Sequence, residues 1–125
     1  MKNSISLSSL SHTWIFDLDG TIVLHNGYLN GEDQLLPGVS DFFSKIPKDD
    51  AIIILTARDK KYRKETENFL SLNKIRFDLI IFEMPHGERI LINDVKPSGL
   101  RTAYSINKIR DNGFKDFDFN IEKFL

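Results

Sequence analysis

An α/β fold with a mostly parallel sheet covered by helices in three layers is what this 125-residue chain predicts, on three observations. Short apolar runs recur as Trp14-Ile15-Phe16, Ala51 to Leu55, Leu79 to Phe82 and Ile90-Leu91-Ile92. They are continuous rather than alternating, as strands buried on both faces read. Stretches of helical period separate them, and strand alternating with helix implies right-handed crossovers. Three of the runs end in polar, chemistry-bearing residues.

In order along the chain, Met1 to Thr13 is a Ser-rich segment, and a single domain is expected over 14–125. Trp14 to Phe16 is the first strand. Residues 20–36 follow neither period and carry Gly20, Asn26-Gly27 and Asn30-Gly31, which predicts a projecting loop or small hairpin. Val39, Phe42, Phe43 and Ile46 mark a first helix, with Pro37 at its start. Tyr62, Thr66, Phe69, Leu70 and Asn73 mark a second, with Asp59 as its cap. Leu100, Ala103, Tyr104 and Asn107 predict a third, capped by Ser98 and stopped before Gly113. Phe114 to Leu125 reads as a terminal strand or strap packed on the body.

Composition narrows the function. The chain carries one net negative charge and no cysteine, and 41% of it is apolar. Near-neutrality gives no electrostatic case for nucleic acid or an anionic membrane. Without cysteine there is no disulfide, thiolate metal site or thiol nucleophile. No apolar run approaches membrane-spanning length, and the first residues lack the apolar core of a signal peptide. A cytoplasmic protein is expected. At this size the folded surface should be roughly 6,900 Å², about a third of the unfolded chain's, so a real core is possible.

The polar run ends carry the chemistry. The first strand runs into Asp17-Leu18-Asp19-Gly20-Thr21, the second into Thr56-Ala57-Arg58-Asp59, and the fourth into Asn93-Asp94. In a parallel sheet these ends share the carboxyl edge, where open α/β sheets bind ligands. Asp17, Asp19 and Asp94 would offer oxygen ligands only, which suits Mg²⁺ shared with a phosphate. Thr56 and main-chain N–H groups of the adjoining loop, such as that of Ala57, can hold phosphate oxygens. A carboxylate at a phosphate site can also be the nucleophile.

These residues resemble the motifs of the haloacid dehalogenase (HAD) superfamily. Asp17 to Thr21 is similar to its D-x-D-G-T string, Thr56 to its second motif, and Asn93-Asp94 to its acidic fourth motif; Pro37-Gly38-Val39 also looks like a helix start in that superfamily. The resemblance covers Trp14 to about Arg110. It implies a Rossmann-like fold with no cap domain, and a Mg²⁺-dependent phosphatase acting on a small phosphorylated metabolite such as a sugar phosphate. It implies Asp17 as nucleophile and metal ligand. Asp19 would be the general acid and base, with a carbonyl on the metal, Thr56 the phosphate-binding hydroxyl and Asp94 the metal-binding acid. The open site would be shaped by the 20–36 loop, with a homo-oligomer able to contribute a neighbouring subunit.

One motif departs. The superfamily's third motif is a Lys or Arg, and in some short relatives a Lys-Pro after the third strand; here that place reads Met84-Pro85. Arg89 and Lys96 are the replacements. Arg89 suits the motif order, but if the fourth strand forms it lies roughly 16 Å from Asp94. Lys96 already lies at the right edge, and Arg58 is two residues past Thr56. His25, Tyr28 and His86 fall in loops near the crevice and read as surface positions.

Two other classes share part of this pattern. A receiver domain is also α/β and is phosphorylated on Asp with Mg²⁺, but its acceptor follows the third strand, where this chain has Glu83-Met84-Pro85. A HAD-like module without activity, serving to bind, is consistent with the missing third-motif Lys.

Overall fold

The computed structural model describes residues 3–125. The chain has the expected α/β character with parallel strand pairing throughout, distributed over two sheets. Strands β1 (Asn3–Leu7) and β5 (Phe117–Ile121) pair in one. In the other, β2 (Thr13–Asp17), β3 (Ala51–Leu55) and β4 (Leu79–Ile81) lie side by side in that order. The register aligns Phe16 with Ile54 and Asp17 with Leu55, and Leu55 with Ile81. The carboxyl ends of β2, β3 and β4 therefore share one edge. Residues 3–7 of the Ser-rich segment thus form the strand β1, and the Phe-rich tail supplies β5.

Helix α1 (Val39–Lys45) joins β2 to β3, and α2 (Arg63–Leu72) joins β3 to β4. Asp59 does cap, through its side chain to the Lys61 N–H, but of a 3₁₀ turn, Lys60–Tyr62, that leads into α2. Both crossovers move the same way across the sheet. Right-handed connections then place both helices on one face.

That face holds the core. Ile52, Ile54, Val39 and Leu70 are fully buried, while Ile15 and Leu79, which point the other way, are about half exposed. Phe42 is the hub: its ring lies 5.7 Å from Trp14, 4.6 Å from Phe114, 5.7 Å from Phe117 and 5.4 Å from Phe119. So α1 ties the Phe-rich tail to β2. The tail enters at Gly113, where a side chain would meet the Pro37 carbonyl: an added Cβ would stand 2.1 Å from that oxygen, and φ is +77°. The Phe114 N–H donates to the same carbonyl at 2.8 Å.

Residues 20–36 fold as a small hairpin-like lobe. Leu24 N–H donates to the Gln34 carbonyl and Leu36 N–H to that of Ile22. Ile22 and Val23 are fully buried, so the lobe is anchored to the body.

The fourth strand and the third helix do not form. Residues 90–107 carry neither element, and Ile90, Leu91, Ile92 and Val95 are exposed. The predicted helix consists largely of weak helix formers, with Gly99 at φ +88° near its start and Thr102, Tyr104, Ser105, Ile106 and Asn107 after it. Among the described residues the face opposite α1 and α2 accordingly has no helix. The accessible surface, 8621 Å², is roughly a quarter above that of a compact chain of this mass.

At the amino edge of the sheet a buried cluster closes the fold. The Asp50 carboxylate accepts from the His12 main-chain N–H at 3.0 Å and the Trp14 indole at 2.9 Å, and lies 2.8 Å from His12 Nδ1. Burial works to raise the Asp50 pKa; the hydrogen bonds from Trp14 and His12 outweigh it and hold the carboxyl below its ordinary value. A carboxyl so depressed contributes stability above its unfolded pKa of about 4, and that stability is lost as pH falls through the folded value. Asp50→Ala should cost about 3 kcal/mol at neutral pH. It should also flatten the loss of stability below about pH 4, as read by urea titrations at a series of pH values.

Candidate active site

At the shared carboxyl edge, a cavity of about 360 Å³ opens between the end of β2, the 20–36 lobe and the loop after β4. Asp17, Asp19, Ala57, Arg58 and Arg89 line it, with His25, Tyr28, His86 and Arg110 among the rest.

Asp17 ends β2 with its side chain half exposed to the cavity. The Thr21 hydroxyl donates to Oδ2 at 3.2 Å, and Arg89 Nη2 stands 3.6 Å from Oδ1. Burial pushes the carboxyl above its ordinary value, against the pull of the Thr21 hydroxyl and the Arg89 charge. Arg89 is aimed by a second bond, Nη1 to the Pro85 carbonyl at 2.8 Å. Because residues 90–92 form no strand, Arg89 lies in a loop and reaches the carboxyl edge.

Asp19 is held from behind. Arg58 Nε donates to both of its oxygens at 3.2 Å, and Nη2 to Oδ1 at 2.8 Å. The same guanidinium grips Asp33 at 3.0 and 2.7 Å and Thr66 Oγ1 at 2.8 Å. Its Cζ lies 3.8 Å from the centre of the Tyr28 ring, which packs edge-on against Tyr62 at 4.8 Å. The Arg58 side chain is 1% exposed. Burial works to lower its pKa, and the hydrogen bonds to Asp33 and Asp19 reverse this and raise it. A planar fork with five donors meets two carboxylates and a hydroxyl here, which lysine could not do.

Thr56 is fully buried. Its hydroxyl donates to Asp19 Oδ2 at 3.2 Å and accepts from the Arg58 main-chain N–H at 3.1 Å. The expected phosphate-binding hydroxyl is therefore turned to Asp19, and Ala57 and Arg58 form that part of the cavity wall instead. Asp94 and Lys96 are exposed and line no part of the cavity. Their place at the carboxyl edge required the fourth strand. The Asp94 carbonyl accepts from Thr102, and the Lys96 carbonyl from the Gly99 N–H.

Among the described residues no group of three or more His, Cys, Asp or Glu side chains is arranged to hold a metal. Mg²⁺ can make do with one or two carboxylate ligands completed by water and substrate phosphate, and the carboxylate that faces the cavity and could serve it is that of Asp17. Among the described residues no main-chain N–H donates to the Asp19 carbonyl.

The sequence pattern missed Asp33, which shares Arg58 with Asp19, and Arg110, which reaches the cavity from the far end of the chain. Neither follows an apolar run, so neither carried the signal that marked the others.

No family model matches the chain, and no curated protein matches it. Two solved structures do. A chain in the structure of the Pnkp1/Rnl/Hen1 complex is 30% identical with a TM-score of 0.49, over 66% of this chain and 31% of that one. A chain in the structure of the Pnkp1/Rnl/Hen1 RNA repair complex is 31% identical with a TM-score of 0.51, over 65% of this chain and 28% of that one. This protein thus spans less than a third of the chains it resembles.

Proposed function

We propose that the protein is a HAD-like, Mg²⁺-dependent phosphomonoester hydrolase whose nucleophile is Asp17. The observation that carries this reading is the pair of carboxylates at the end of β2, one facing the cavity and one clamped. Asp17 is open to the cavity with an arginine beside it, whereas Asp19 is fixed by Arg58 and Thr56. That division of labour suits one carboxylate that attacks and one that moves a proton.

Asp17 attacks phosphorus and the bond to the leaving oxygen breaks. Asp19, taking up a proton from solvent before the step, gives it to that oxygen, the alcohol departs, and the Asp19 carboxylate is left paired with Arg58. A water then attacks the phosphoryl group on Asp17, Asp19 takes the water's proton, and inorganic phosphate leaves. Arg89 and the Ala57 main chain hold the transferred group, and Thr56 acts by orienting Asp19. Mg²⁺, held by the Asp17 carboxylate and the Asp19 carbonyl, would neutralise phosphoryl charge. Asp94 could join that site only if residues 90–94 moved to the carboxyl edge, and Lys96 could reach the phosphoryl group only the same way.

No helix among the described residues is long and apolar enough to cross a membrane, in keeping with a cytoplasmic setting. Sugar phosphates remain the first substrates to try. The likeness to a chain of an RNA repair complex adds phosphorylated RNA ends, against the expectation drawn from net charge. A panel of both kinds, assayed with Mg²⁺ and with EDTA, tests the reading: metal-dependent phosphate release supports it. Well-folded protein that releases none would favour a binding module.

The same assay separates the two cations. Arg89→Ala should lower turnover by about 10²–10³-fold, while Lys96→Ala should stay within about twofold of wild type. The reverse result would show that Lys96 moves to the site.

A further inference from the structure

Three arginines line the cavity, and they differ in what neutralises them. Arg58 is paired with Asp19 and Asp33, and Arg89 lies against Asp17. Arg110 has no ion pair among the described residues.

Its position is nonetheless fixed. Arg110 and Asp111 form the tip of a turn closed by the Asn112 N–H on the Ile109 carbonyl at 3.1 Å. Asp111, at φ +64°, pins that tip twice. Its N–H donates to the Gly20 carbonyl at 2.8 Å, and its carboxylate accepts from the His25 N–H at 2.8 Å. The Arg110 stem then lies on Gly20, where an added Cβ would stand 3.2 Å from Cγ. Absence of a side chain at Gly20 lets the arginine approach the Asp17–Asp19 loop. The pinned stem thus carries an exposed guanidinium with no ion pair on the wall of a cavity whose other two arginines are already paired with carboxylates.

We propose that Arg110 binds a second anionic group of the substrate, distinct from the phosphoryl group transferred to Asp17. The inference rests on the phosphatase reading and narrows its substrate class to phosphomonoesters that carry another phosphate-type anion. Arg89 already serves the Asp17 side of the cavity, so a further anion has its own cation at the Gly20 wall. Two sources share this chemistry, a small bisphosphate and a nucleic acid end whose neighbouring anion is a phosphodiester.

Calorimetric titration of the full chain in EDTA, which stops metal-dependent turnover, tests it, using adenosine 3′,5′-bisphosphate against adenosine 3′- and 5′-monophosphates. Wild type should bind the bisphosphate at least about tenfold more tightly than either monophosphate. In Arg110→Ala that advantage should fall to within about twofold, and Arg110→Lys should recover part of it. A 3′-phosphorylated dinucleotide that matches or exceeds the bisphosphate assigns the second anion to a phosphodiester; one that binds no better than the monophosphates assigns it to a small bisphosphate. Equal binding of mono- and bisphosphates by wild type, or a preference that survives Arg110→Ala, overturns the proposal. Binding is read apart from turnover. An Arg110-dependent preference without hydrolysis of any ester would keep this site and remove the phosphatase reading.

Discussion

Asp17→Asn should abolish turnover, by at least about 10⁴-fold, with the fold intact. An amide is too poor a nucleophile to attack phosphorus, and removal of an activated nucleophile is among the largest single losses known for enzymes. The side chain is half exposed and meets the Thr21 hydroxyl and the Arg89 guanidinium, so an isosteric amide disturbs little packing. Asp19→Asn should be milder, about 10²–10⁴-fold, because it removes proton transfer and leaves the nucleophile in place. Phosphate release alongside thermal melts separates both effects from misfolding. A near-normal rate for Asp17→Asn would point to direct attack by water.

Arg58→Ala should produce the largest loss of stability, about 3–5 kcal/mol, because it strands buried charge. Asp33 is 7% exposed and Asp19 17% exposed. Both would lose their cation, Thr66 a hydrogen-bond partner, and Tyr28 the guanidinium packed on its face. Turnover should fall too, since Asp19 would lose the group that fixes its direction. Arg58→Lys should recover only a fraction, one ammonium being unable to serve two carboxylates in a plane. Chemical denaturation measures the first effect, and kcat on protein shown to be folded measures the second.

Much of this site could be read from residue order. Asp17, Asp19, Ala57 and Arg58 follow apolar runs that became β2 and β3, and the parallel register carries them to one edge. Helices α1 and α2 were legible because their apolar positions repeat at helical spacing and face the core. The run Ile90-Leu91-Ile92 has the same local pattern as the true strands, but a strand also needs a partner edge to pair with, which local pattern does not report. With that strand went the expected placement of Asp94 and Lys96, and the same change brought Arg89 within reach of Asp17. Thr56 was legible as a site residue but not in its orientation, because the Arg58–Asp19–Asp33 network that turns its hydroxyl inward assembles from three separate segments. Arg110 and Asp33 depend on tertiary contacts alone.

Trapping the covalent intermediate tests the central claim most directly. Asp19→Asn protein, slowed in the step that breaks the acyl phosphate, is mixed with a turned-over phosphomonoester and Mg²⁺, quenched in acid and mapped by peptide mass spectrometry. A phosphoryl group on Asp17, labile to hydroxylamine and absent from Asp17→Asn, is the result this account predicts. Steady phosphate release with Asp17 unmodified, or a phosphoryl group on another residue, would contradict it.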